Sequence, residues 1–161
     1  MGISREVFEQ TGGYNLPNKG EDIDFSIRII EAGFKVGLIE EAFVYHKRRT
    51  SLKQFFKQLN FFGQARINVN RLHPGELRLV HLFPLIFTLG IPLVAILIPL
   101  VPELGRLGLA VYLLYFLLIF IEGTIRNRSI VVGVVGVFAS IVQLTAYAAG
   151  MVAEVLSDRS R

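Results

Sequence analysis

Three long apolar stretches without a formal charge fill the second half of the chain, and no other feature restricts its folding as much. Leu82 to Val101 is a run of twenty uncharged residues. A helix rises about 1.5 Å per residue, so about 20 apolar residues cross the hydrocarbon core of a bilayer. A second stretch, Leu107 to Ile121, extends back to Leu104 if Arg106 turns its guanidinium to the interface. A third runs from Ser129 to Ala153. Residues 82–101, 104–121 and 129–153 are therefore expected to be three transmembrane helices within a membrane region, 82–156. Helices of this length in a soluble bundle would carry a polar face. Pro84, Pro92 and Pro99 punctuate the first stretch; membranes tolerate proline in a helix, and a re-entrant or broken segment is the alternative there. Gly133, Gly136, Ala139 and Ser140 give the third a small-residue face suited to close packing.

Composition agrees with this class. The 161 residues are 52% hydrophobic and 19% charged, whereas a soluble domain carries roughly 25% charged residues. A disordered chain is apolar-poor and is excluded. With no cysteine, a disulfide scaffold, a Cys-ligated zinc and a cysteine nucleophile are excluded as well. The net charge of +4 is unevenly spread: residues 1–44 balance to −4, residues 45–80 to +7 and residues 81–161 to +1. The chain thus reads as an acidic head (1–46), a basic collar (47–81) and an apolar tail. Lys and Arg concentrate on the cytoplasmic flank of membrane spans, so head and collar are expected there, in a multi-pass protein of the cell membrane. Three crossings would carry the C-terminus to the opposite side. The opening residues, with Arg5 and Glu6, are not a signal peptide.

From Ser51 to about Asn70, apolar residues fall at Leu52, Phe55, Phe56, Leu59, Phe62 and Ile67. Steps of three and four predict a helix, and its Phe with Lys53, Lys57 and Arg66 suits the headgroup plane of a bilayer. Lys47, Arg48 and Arg49 are placed to meet anionic lipid or a phosphorylated ligand. The chain has no nucleic-acid motif, and nucleic acid is not an expected partner.

In the head, Ser4 is a cap for a short helix that Gly12 and Gly13 stop. Tyr14 to Gly20 reads as a loop. Glu21, Asp22 and Asp24 open a second helix that Gly33 ends; carboxylates are favourable in a first turn for the helix dipole alone. Lys35–Ile39 and Ala42–Tyr45 read as two short strands around Glu40-Glu41, followed by His46.

The order of these motifs carries more than any one of them. Gly-Gly-Tyr (12–14), Gly-Glu-Asp-Ile-Asp-Phe-Ser-Ile-Arg (20–28), Ala-Gly-Phe-Lys-Val (32–36) and Val-Tyr-His (44–46) resemble the C-terminal half of the catalytic domain of family 2 glycosyltransferases. Arg49-Thr50-Ser51-Leu52, Gln58, Phe62 to Arg66 and His73-Pro74 look like the membrane-proximal stretch of its membrane-bound members, the succinoglycan-biosynthesis type above all.

The resemblance implies an α+β remnant of a GT-A domain ahead of the interfacial helix and the spans. It implies Asp22 as the catalytic base, with Glu21 beside it positioning the acceptor hydroxyl. Asp24, Arg48, Arg49 and Gln58 would contact acceptor or phosphate, and His46 would bind a divalent metal, Mn or Mg. The reaction implied is inverting transfer of one sugar from a nucleotide-sugar to a saccharide or polyprenyl-linked acceptor at the cytoplasmic face. The stretch Gln58-Leu59-Asn60-Phe61-Phe62 departs from the Gln-x-x-Arg-Trp signature of processive synthases, which favours single-sugar transfer. The nucleotide-binding half and its Asp-x-Asp motif have no counterpart here. So small a head cannot enclose a nucleotide-sugar, and a second polypeptide would have to supply that half and most metal ligands. The other reading is a non-catalytic three-span module of a polysaccharide-assembly complex.

Overall fold

The computed structural model describes residues 2–16, 18–46 and 50–157. Six helices follow one another: α1 (Arg5–Thr11), α2 (Glu21–Glu31), α3 (Leu52–Leu72), α4 (Leu79–Leu100), α5 (Pro102–Asn127) and α6 (Ile130–Ser157). Ser4 caps α1, accepting from the Val7 N–H at 3.3 Å, and Gly12 ends it at φ +70°. Ser51 caps α3 in the same way, through the Gln54 N–H.

Three helices, α4, α5 and α6, are long and apolar enough to cross a membrane. The prolines sit inside α4 without ending it. Most side chains of α4 and α5 point outward, among them Leu79, Leu100 and Ile125, each more than 70% exposed. An apolar surface of this extent is stable in lipid and not in water. α4 and α5 pack antiparallel: Gly105 lies against Ile98, Gly108 against Val94, and the Tyr112 hydroxyl donates to the Phe87 carbonyl at 2.5 Å. α6 starts beside the end of α5, where Gly133 meets Phe120 and Thr124, as the small-residue face predicts.

The collar helix differs from its expected role in one respect. Leu59, Gly63, Ala65, Ile67 and Val69 are buried within the protein, while Leu52, Phe56, Phe61 and Phe62 stay exposed. The cause is a glycine-mediated crossing with α6. A Cβ on Gly63 would fall 2.1 Å from the Tyr147 carbonyl oxygen, and one on Gly150 would fall 2.0 Å from that of Asn60. The Asn60 amide donates to the Ala146 carbonyl across this contact at 3.3 Å.

No strand forms among the described residues. Segments 35–39 and 42–46 flank a turn at Glu40-Glu41, where the Ala42 N–H donates to the Ile39 carbonyl at 3.1 Å. Leu38, Val44 and Tyr45 are 88%, 86% and 96% exposed. A strand exists only as part of a ladder, and no neighbouring segment among the described residues supplies one. The folded part of the head is therefore helical, and the α+β character implied by the resemblance is not present in it.

Candidate functional site

The acidic turn of α2 sits where α2 meets the end of α3. Gly20 makes this approach possible: it is buried, at φ +107°, and a Cβ there would lie 2.8 Å from a Val69 methyl. Glu21 folds back, its carboxylate accepting from the Gly20 N–H at 3.1 Å. Asp22 is exposed; its carboxylate accepts from the Ile23 N–H at 2.9 Å, and the Ser26 hydroxyl donates to its carbonyl at 2.7 Å.

Asp24 is the opposite case, 2% exposed. One of its oxygens accepts from Arg28 Nε and Nη2 at 3.1 and 3.0 Å, and the other from His73 Nε2 at 2.9 Å. Burial would raise its carboxyl, but the hydrogen bonds from His73 and Arg28, with their charges, outweigh burial and hold it below its ordinary value. Arg28 also donates to the carbonyls of Thr11 and Gly13, at the negative end of α1, and lies over the Phe25 ring at 5.1 Å. One carboxylate thus ties α1, α2 and the end of α3 together. A second ionic group stands nearby in the sequence order of α3: Glu154 of α6 pairs with Lys19 of the head loop at 3.0 Å and with Arg71 of α3 at 3.2 Å.

The other implied residues lie apart from these clusters. Gln58 lines an open groove of about 460 Å³ on α3 with Gln54, Lys57, Phe61 and Phe62. His46 is exposed at the end of the second non-helical segment. Arg48 and Arg49 lie outside the described residues. Among the described residues no three His, Asp or Glu side chains are arranged to hold a metal ion. The described residues therefore do not form a metal site by themselves, and no chemical step is routed through one.

His73 and the Lys19–Glu154–Arg71 group are connections that sequence reading missed. The Asp24–Arg28 pair was open to it, since Asp and Arg four apart on a helix are neighbours. His73 lies 49 residues from its partner and Glu154 lies 135 from Lys19; no local spacing announces such pairs.

An acid-led helix seated on a membrane-flanking collar is the arrangement to compare with known proteins. Over 103 residues the chain is 29% identical to a pre-mycofactocin glycosyltransferase of Mycobacterium tuberculosis, in strains CDC 1551 and H37Rv alike. A distant relative is thus a glycosyltransferase. The match covers 63% of this chain and 21% of the relative, so the chain spans about a fifth of the length of the curated relatives it matches. No family model and no solved structure matches.

Proposed function

We propose that this chain is the C-terminal, membrane-anchoring segment of a glycosyltransferase with a GT-A catalytic domain. Its task is to carry the acceptor side of the active site and hold it at the bilayer. The similarity to a glycosyltransferase over 103 residues carries this reading. It is supported by the division of labour in α2. Asp24 is locked in the framework, while Asp22, on the same turn, is exposed to solvent, where an acceptor can reach its carboxylate.

In the reaction proposed, Asp22 takes the proton of an acceptor hydroxyl as the oxygen attacks the anomeric carbon of a nucleotide-sugar. The bond to the diphosphate breaks in the same displacement, and configuration at the sugar inverts. Glu21 orients the hydroxyl. Gln58 and the basic residues Arg48 and Arg49 would meet the phosphates of donor or lipid-linked acceptor. A divalent metal would be held mainly by the nucleotide-binding part, with His46 as the one ligand offered from here.

In the enzyme assembled with its donor-binding part, Asp22→Asn is expected to slow sugar transfer about 10²–10⁴-fold, with donor affinity unchanged. Release of nucleoside diphosphate from a panel of nucleotide-sugars measures both. Turnover near that of the native protein would remove Asp22 as base. One observation favours the non-catalytic reading: Asp22 also serves its own helix start, through the Ile23 N–H. Under that reading Asp22→Asn leaves transfer untouched and lowers only the helicity of α2.

A further inference from the structure

The ion pairs of Glu154 bear on how the chain crosses the membrane. Glu154 stands three residues from the end of α6 and is bonded to Lys19 in the head and to Arg71 in the collar, whose guanidinium also donates to the Glu154 carbonyl at 2.8 Å. Charged partners at 3.0 Å share one side of a bilayer. Between Arg71 and Glu154 the chain must therefore cross an even number of times, although α4, α5 and α6 are each long enough to cross once.

The packing indicates which helix does not cross. α4 and α5 form an antiparallel hairpin with Glu103 and Arg106 at its turn, paired at 2.5 Å. That hairpin accounts for two crossings and returns the chain to the head side at Arg126, Asn127 and Arg128, a connection rich in the charge that favours the collar's side. α6 begins there and brings Glu154, near its end, to the same side. Its contacts agree. It meets α5 near that helix's end, through Gly133 against Phe120 and Thr124. It meets α4 in the first half, where the Leu144 carbonyl lies 3.4 Å from the Thr88 hydroxyl. Its second half follows α3, from Asn60–Ala146 and Gly63–Tyr147 to Arg71–Glu154. α3 carries Lys53, Lys57, Arg66 and Arg71 along its length, and a helix so charged keeps to the interface.

We propose that the α4–α5 hairpin alone crosses the bilayer, and that α6 lies in its head-side leaflet. There its second half joins α3 in a two-helix platform against the lipid. The partner of this platform is the boundary between headgroups and acyl chains. Phe56, Phe61 and Phe62 of α3 and Val152, Val155 and Leu156 of α6 are the exposed apolar side chains it offers to the lipid. Their polar neighbours Lys57, Arg66 and Glu154 stay at the water boundary. The inference does not depend on the transferase reading.

The chain has no cysteine, so single-cysteine variants of the full chain report sidedness directly. Asn18→Cys, Glu103→Cys, Asn127→Cys and Ser157→Cys would be treated with a membrane-impermeant maleimide in right-side-out and in inverted membrane vesicles. Positions 18, 127 and 157 are expected to react from one side, and position 103 from the other. Reaction of position 157 from the side opposite to 18, or from neither, overturns the proposal. So does reaction of 103 from the same side as 18, which would make α4 the helix that fails to cross. A second measurement needs no substitution. A zero-length carbodiimide is expected to join Lys19 to Glu154 in native membranes, seen as a linked peptide by mass spectrometry. Its absence removes the contact that sets Glu154 on the head's side of the bilayer.

Discussion

Asp22 and Asp24 are two positions apart on α2, and a helical advance of about 100° per residue sends their side chains to nearly opposite faces. One face looks into solvent, and the other is closed by α3 and by the end of α1. A buried carboxylate is tolerable only with its lone pairs occupied, and Arg28 and His73 occupy those of Asp24. Asp24→Asn keeps the shape and removes the charge, leaving Arg28 without its counter-ion inside the head. Breaking a buried pair from one side costs about 3–5 kcal/mol; the loss is expected near the lower figure, because Arg28 keeps the carbonyls of Thr11 and Gly13. The pH dependence has a definite sign. A carboxyl held low in the folded state stabilises it at any pH above the unfolded value, about 3.9, and that contribution is lost as pH falls through the lower folded value. Thermal unfolding of the head in detergent is therefore expected to show the native protein more stable than Asp24→Asn at pH 5, with the margin shrinking as the pH falls below about 4. A margin that does not shrink at all on acidification would show that the destabilisation comes from something other than this charge.

At the scale of elements, α3 and α6 are held together by what two glycines leave out. Gly63→Ala would drive a methyl to 2.1 Å from the Tyr147 carbonyl oxygen, which belongs to helix backbone and cannot rotate away. The helices must separate, and overpacking of this kind costs about 1–3 kcal/mol. Gly136→Ala is the matched control, since its nearest neighbour is an Ile119 methyl at 3.8 Å, an ordinary contact. In detergent, Gly63→Ala is expected to lower the melting temperature and Gly136→Ala to leave it unchanged; equal shifts would refute the close crossing. The helices themselves were readable in the sequence. The apolar runs, the Ser4 cap and the steps of three and four each state a local preference that packing did not override. Gly133 was readable as a contact and Gly63 and Gly150 were not, because the sequence displays small residues without saying which helix faces them. The two strands failed for a related reason. Val36, Leu38, Phe43 and Tyr45 have strand composition, and the Phe43 and Tyr45 rings do meet at 5.7 Å, as alternate residues of one strand face would. The remaining condition is a hydrogen-bonding neighbour, which composition cannot provide. At the site, the acid cluster could be read from α2 alone, but the separate fates of Asp22 and Asp24 are decided by α3, through Val69 and His73.

For the whole molecule, head, collar and α6 meet at one carboxylate. Lys19 is in a loop between α1 and α2, Arg71 is at the end of α3, and both depend on Glu154, whose side chain is 12% exposed. Glu154→Gln retains the size and some hydrogen bonding but removes the anion that Lys19 and Arg71 share. Hydrogen bonds to a charged group contribute about 1.5–3 kcal/mol. At partial exposure, solvent screening places the loss here just below that range, at about 1.4 kcal/mol, or tenfold in an opening equilibrium. Trypsin offers a reading of that equilibrium. Arg28 is engaged by Asp24, Thr11 and Gly13, so cleavage after it requires α2 to come away from its seat. When opening and closing are faster than cleavage, the cleavage rate follows the population of the open form. Cutting after Arg28 is thus expected to quicken about tenfold in Glu154→Gln and, because surface ion pairs are screened, to quicken in the native protein as salt is raised from 0.05 to about 0.5 M. An unchanged rate in Glu154→Gln would mean that the head is seated by Asp24 and Gly20 alone, with α6 free of it.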